Sequence, residues 1–280
     1  MPRPLTSAEK SEVQNLFPNM NVERVVVSAE ADVTYNCLAW TLGITSRWVW
    51  PWGSRDATKA EFDALYRSHG LSPSQNGPIA AFGASNNAMK HGAISGLGHG
   101  TRWESKLGNS LRIQHGLGEM EGGFYGRTKG FYSGSRLLRT DRTIVEALEK
   151  EDLMALLSDD EKELVLKLNS TVDVHLRKAF IEAYAKWVAT WSDPGIAFSS
   201  VPGDYAKSDQ FRRLLAMGEA IVPLVIEKLI EPDQFFALQL VEHLAKREIV
   251  SEFEPEDPII LEGEQERAAA TVRRWLGFNA

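Results

Sequence analysis

Apolar positions along this chain change their period near its middle. Beyond residue 136 they recur at helical spacing. In "VDVHLRKAFIEAYAKWVATW", Val172, Leu176, Ala179, Phe180, Ala183, Tyr184, Trp187, Val188 and Trp191 fall on one stripe, the i, i+3, i+4, i+7 pattern of an amphipathic helix. "DRTIVEALEKEDLMALL" and "SDDEKELVLKL" share this texture, with acidic residues early where the helix dipole favours them. "SDQFRRLLAMG" predicts a helix stopped by Gly218. "EAIVPLVIEKLI" and "EPDQFFALQLVEHLAKR" place Pro223 and Pro232 near first turns, and "EQERAAATVRRWLGF" closes the chain. These segments read as helical hairpins of a HEAT-like kind, without a clean repeat period.

Residues 1–135 read differently. "TSAEKSEVQNLF" predicts a short helix capped by Thr6 or Ser7, and "DATKAEFDALYRSHG" a second one ending at Gly70. Five β-like runs broken by glycine follow: "PIAAFGA", "KHGAISGL", "TRWESKLG", "LRIQHG" and "YGRTKGFYSG". They predict an antiparallel meander. The expected fold class is α+β, with a helix-plus-sheet domain over 1–135 and an all-α domain over 136–280.

Composition narrows the function classes. The formal net charge is −7 and no run of Lys and Arg exceeds two residues, which argues against a nucleic-acid partner. The start of the chain has no apolar run of the signal-peptide kind, and no 18-residue apolar window suggests a membrane span. A single cysteine cannot form an internal disulfide, so the expected compartment is the cytoplasm. The expected partners are a substrate or another protein, with no membrane and no nucleic acid; the sequence leaves the oligomeric state open.

That cysteine, Cys37, sits in "TYNCLAWTLG". A helical period begins there and Gly43 stops it, which places Cys37 in a first turn where unpaired N–H groups and the dipole favour a thiolate. Most lone cysteines are instead small apolar core residues. Downstream, His91 opens a β-like run, and Glu104 and Ser105 follow it by 13 and 14 residues. A turn at Gly98–Gly100 would return that pair beside His91. Neighbours in a strand face opposite sides, so only one of the two can meet the histidine.

This order of helix with Cys, strand with His, and strand with a third polar residue resembles the papain-like cysteine hydrolases of the NlpC/P60 type. "NCLAW" stands where that family has a "DCSG"-like sequence, with Asn36 for the Asp and Leu38 for the Ser. "HGAISGLGHGTRWES" resembles its "HVGIY-G-G" strand pair. The combination of "YNCLAW", "WVWPWG", "WESKLG", "RIQHG" and "EGGFYG" also resembles a group of uncharacterised proteins with "NC-AW" and "W-SKLG" signatures, which implies no activity. The papain-like resemblance implies that His91 takes the Cys37 proton, that Glu104 or Ser105 orients the imidazole, and that the Cys37 amide contributes to an oxyanion hole. Asn36 and Tyr35 are candidates for the second donor there, and Asn36 is equally suited to a plain N-cap.

Other histidines compete. His115 in "LRIQHG" is the second candidate for the base, with a turn histidine bonded to a backbone carbonyl as its alternative; His99 lies between glycines at a turn; His69, His175 and His243 fall in or at the end of helices. Trp48, Trp50 and Trp52 in "RWVWPWG" suit either a cleft wall or packed aromatics. Scattered histidines and one cysteine do not make a zinc site, and "GLGHG" lacks the Lys-Ser/Thr of a phosphate loop, so no metal and no cofactor is expected. Two readings result. One is a cysteine hydrolase or acyl/amide transferase acting on a peptide, a protein side chain or a small amide. The other is a non-catalytic interaction protein on a papain-like scaffold with an inert, buried Cys37.

Overall fold

The structure is a computed structural model that describes residues 2–95, 102–134, 156–246, 249 and 263–279. The expected turn at Gly98–Gly100 with His99, and most of the helix expected over 141–157, lie outside the described residues. The protein is mixed α/β and divides into two compact units. The first comprises residues 1–45, 55–146 and 197–200, and the second comprises 46–54, 147–196 and 201–280. A single cut at 135 therefore misses two exchanges: the Trp-rich stretch belongs to the second unit, and residues 197–200 to the first.

Among the described residues the first unit is an eight-stranded antiparallel sheet with helices on both faces. Its strands are β1 (Arg3–Pro4), β2 (Val26–Ala29), β3 (Ser72–Ser74), β4 (Ile79–Ser85), β5 (Ala88–Ser95), β6 (Trp103–Lys106), β7 (Arg112–His115) and β8 (Arg127–Ser133). They lie side by side in the order β1-β2-β7-β6-β5-β4-β8-β3. The five β-like runs of the sequence are β4 to β8. The first four form the meander, and β8 returns to the outer side of β4. The short β1, β2 and β3 extend the two edges, too brief and irregular to show a period-2 pattern.

Among the described residues three helices serve this sheet: α1 (Ser7–Leu16), α2 (Cys37–Leu42) and α3 (Lys59–Ser68). Thr6 and Thr58 begin α1 and α3 as capping boxes with Glu9 and Glu61, so each satisfies two otherwise orphaned amides. Strand alternation sorts the sheet residues between two faces. On one face Ala80, Phe82, Ala93 and Ile113 join Val13 of α1 and Phe17 just after it, with Tyr125, in a buried apolar cluster. On the other, α2 packs on β5 and β6, and α3 on β3 and β5. Gly92 marks this second face: a Cβ there would meet Tyr66 Oη at 2.8 Å and Thr41 Cγ2 at 3.1 Å.

The second unit holds the predicted aromatic stripe in its own core. Phe180, Tyr184 and Trp187 are buried along the helix Val174–Thr190. Trp187 and Trp191 meet edge to face at 5.0 Å, and the Trp187 indole N–H donates to the Tyr205 carbonyl at 2.7 Å. Among the described residues it also holds helices at Asp159–Asn169, Asp209–Leu215, Val222–Lys228, Leu238–Leu244 and Glu264–Asn279. The helix expected to stop at Gly218 ends earlier, at Leu215 with Ala216 as its cap, and Gly218, at φ 72°, opens the next turn. Among the described residues no helix is long and apolar enough to cross a membrane.

Candidate functional site

Cys37 is the first residue of α2. Asn36 is the N-cap, its side-chain oxygen accepting from the Ala39 amide at 3.1 Å, and Gly43 ends the helix with φ 79°. The thiol is fully buried. β5 and β6 pair at Ile94↔Glu104 and Ser95↔Trp103, and the thiol packs against β5 earlier along that strand. Its Sγ lies 4.0 Å from the Lys90 carbonyl and 3.1 Å from Ser200 Oγ, with the Gly92 and Leu38 amides beside it. Burial pushes the thiol up to about 11, a shift that these bonds and the Lys106 charge only partly oppose. A place in the first turn does not lower this thiol, because desolvation outweighs the hydrogen bonds and the charge that oppose it.

His91 does not reach this thiol. Among the described residues no imidazole nitrogen hydrogen-bonds Sγ. The reason is strand parity: Gly92 points at α2, so its neighbour His91 points to the opposite face. There its ring stacks on Tyr125 at 3.8 Å, with an interplanar angle of 6°. The expected Cys37–His91 pair is thereby corrected to two separate buried groups.

On that opposite face, His91 Nε2 lies 2.9 Å from Ser105 Oγ, and Ser105 Oγ lies 2.8 Å from His115 Nε2. His115 Nδ1 is 2.8 Å from the Gly116 carbonyl. A carbonyl only accepts, so the neutral His115 carries its proton on Nδ1 and accepts at Nε2. The Ser105 hydroxyl then donates to His115 and accepts from His91 Nε2–H. This leaves His91 Nδ1 as a bare, buried lone pair, without a partner among the described residues. All three side chains are fully buried. Burial lowers His91 well below its ordinary value, and lowers His115 to about 4. Ser105 is thus the residue that meets His91, and His115 joins as a third member instead of competing for a base role. Ser105→Ala strips both imidazoles of their partner. We expect it to cost about 2–4 kcal/mol of stability, read from urea unfolding, because two buried ring nitrogens lose their bonds.

Glu104 serves the other face. Its carboxylate pairs with Arg112 at 3.0 Å, and the Arg112 guanidinium lies 3.9 Å over the Trp40 ring and donates to Tyr35 Oη at 3.3 Å. Lys106 shares that face and is fully buried. Its Nζ donates to the carbonyls of Asp32, Gly108 and Ser110 at 2.7, 2.7 and 2.8 Å, and sits 5.0 Å over the Tyr35 ring. Tyr35 is therefore a packing partner of two cations and is itself buried, while Asn36 works as the cap. This scaffold fixes the loop that leads into α2. Lys106, Arg112, Tyr125 and Ser200 were not singled out from the sequence. The signal for Lys106 was present in "WESKLG": it has the parity of Glu104, opposite to Ser105.

Trp48, Trp50 and Trp52 lie in the second unit. Trp48 packs against Tyr205, Phe235 and Phe236, its amide donating to Gln265 Oε1 at 2.8 Å; Trp50 meets the half-buried Trp52 edge to face at 5.1 Å. Trp48 and Trp50 are buried, so of the two readings packed aromatics holds for them. Among the described residues no three His, Cys, Asp or Glu side chains gather as a metal site.

Residues 26–133 match the family model of a domain of unknown function, DUF7689. The matched stretch runs from the first residue of β2 to the last of β8, so it takes in Cys37, His91, Ser105 and His115 but not Ser200. No curated protein and no solved structure matches the chain.

Proposed function

We propose that this chain is a non-catalytic interaction protein on a papain-like scaffold, with Cys37 an inert core residue. The scaffold part of the reading is supported by the order of its parts: a helix opening on Cys37 packs on the strand that carries His91, and the next strand supplies Ser105 to that histidine. The non-catalytic part rests on one observation, the placement of Cys37 and His91 against opposite faces of β5. A thiol hydrolase needs a thiolate beside an imidazolium, within reach of substrate. Here burial raises the thiol and lowers the imidazole, which opposes both charges. The compartment that suits a free, single cysteine is the cytoplasm.

Thiol labelling tests this. The folded chain should react with iodoacetamide at least about a hundredfold more slowly than the chain in denaturant at the same pH, because reaction waits on opening. It should show no thiolate plateau below pH 8. Rapid labelling of the folded chain with an apparent pKa below 7 would reinstate the hydrolase or transferase reading.

A further inference from the structure

The first unit contains a four-residue piece of chain from far along the sequence. Both flanks of Ala197–Ser200 belong to the second unit, and these four residues belong to the first. They are held as a bound peptide is held. The Asn109 amide donates to the Ala197 carbonyl at 2.8 Å, and the Tyr125 hydroxyl donates to the Phe198 carbonyl at 2.6 Å. The Phe198 ring enters the apolar cluster and lies nearly parallel to Phe17, centroids 6.2 Å apart. Ser199 and Ser200 are buried, with Ser200 Oγ against Cys37 Sγ. Gly108 lets this backbone approach: at φ 49°, a Cβ would stand 2.2 Å from the Ala197 carbonyl oxygen and 2.6 Å from that of Ser199. An aromatic anchor, main-chain hydrogen bonds and a glycine cleared for close backbone approach are features by which peptides are recognised.

We propose that this groove is a recognition site for a short linear peptide of the small–aromatic–Ser–Ser type, occupied here in cis by Ala197–Ser200. The inference rests on the interaction reading and names its ligand class. The cis segment is tethered, so its effective concentration is of order millimolar and it excludes free peptide below that level. Release of the segment opens the groove and bares Cys37.

The test uses the full chain and a fluorescein-labelled peptide, GIAFSSVPG, copied from residues 195–203. Phe198→Ala removes the cis anchor. The variant should bind the peptide at least about tenfold more tightly than the wild type does, and should not bind the same peptide with its Phe replaced by Ala. A folded Phe198→Ala chain that ignores the peptide up to millimolar concentration overturns the proposal. Should the variant not fold, native-state labelling of wild-type Cys37 across low urea decides. Opening with a small fraction of the global urea dependence supports a releasable segment, and opening only with the full global dependence overturns it. A failed interaction reading looks different, because it shows as fast labelling with a low apparent pKa.

Discussion

Replacing Lys106 by methionine is expected to lower the unfolding free energy of the first unit by about 3 kcal/mol or more. Methionine keeps most of the side-chain volume, so packing changes little. What is lost is the donor to three carbonyls, those of Asp32, Gly108 and Ser110. A buried acceptor without a partner costs about 1–3 kcal/mol. Removing the charge returns part of this, since burial pushes the ammonium down to about 7. The three acceptors nevertheless use all three of its protons and so hold the charged form, and they decide the balance. Against a domain stability of about 5–15 kcal/mol the loss is large. It should appear as a fall of about 1–2 M in the urea midpoint. Lys106→Arg should not restore it, because a planar fork cannot address three carbonyls arranged around a point. A midpoint unchanged in Lys106→Met would mean that water replaces the ammonium, and the loop leading into α2 would then owe nothing to this residue.

Mild acid is expected to destabilise the first unit through His91 and His115. Both imidazoles are held neutral in the folded chain by burial, His115 at about 4 and His91 well below its ordinary value. In the unfolded chain each titrates near its ordinary value of about 6.5. Above that value both states leave these two imidazoles neutral, and neither histidine costs stability. As pH falls from there toward 4, the unfolded chain gains protons that the folded one refuses, and stability drops by roughly 1.4 kcal/mol per unit per histidine. By pH 4.5 the loss is about 3 kcal/mol from His115, and His91 adds a loss of the same sign. Glu119 beside His115 favours its charge and Arg102 opposes it, which leaves desolvation in control. Glu9 and Glu61, lowered to about 2 by Arg3 and Arg55, add their own loss mainly below pH 5, whereas the histidines act from 6.5 downward. Glu264 in the second unit, raised to about 7 by burial, works in the opposite sense over the same range. The measurement is therefore a difference. Urea midpoints at pH 6.5 and 5 should diverge less in His91→Gln/His115→Gln than in the wild type, and Glu264 cancels between the two. Equal slopes would show that neither histidine is neutral in the fold for the reason given.

Much of the local structure was legible because it is set by short-range chemistry. The β-like runs became β4 to β8, the cap at Thr6 formed as a capping box, and Gly43 and Gly70 take the positive φ that follows each helix. Asn36 as cap and Cys37 in a first turn also follow from neighbours within four residues. The rule that only one of Glu104 and Ser105 can meet His91 was a matter of strand parity, and Ser105 is the one.

What the sequence determined by itself, then, was the period of each segment, the positions where elements start and stop, and which neighbours share a face. Tertiary structure decided which face the helix carrying Cys37 covers. That choice hung on a single residue of register, with Gly92 rather than His91 beneath α2, and no local pattern states it. It also decided that Ser200, 163 residues away, lies against the thiol, and that Trp48 joins Tyr205 and Phe236. Apolar burial is non-directional, so a tryptophan or a cysteine specifies only that it will be covered, and the packing of distant segments selects what covers it.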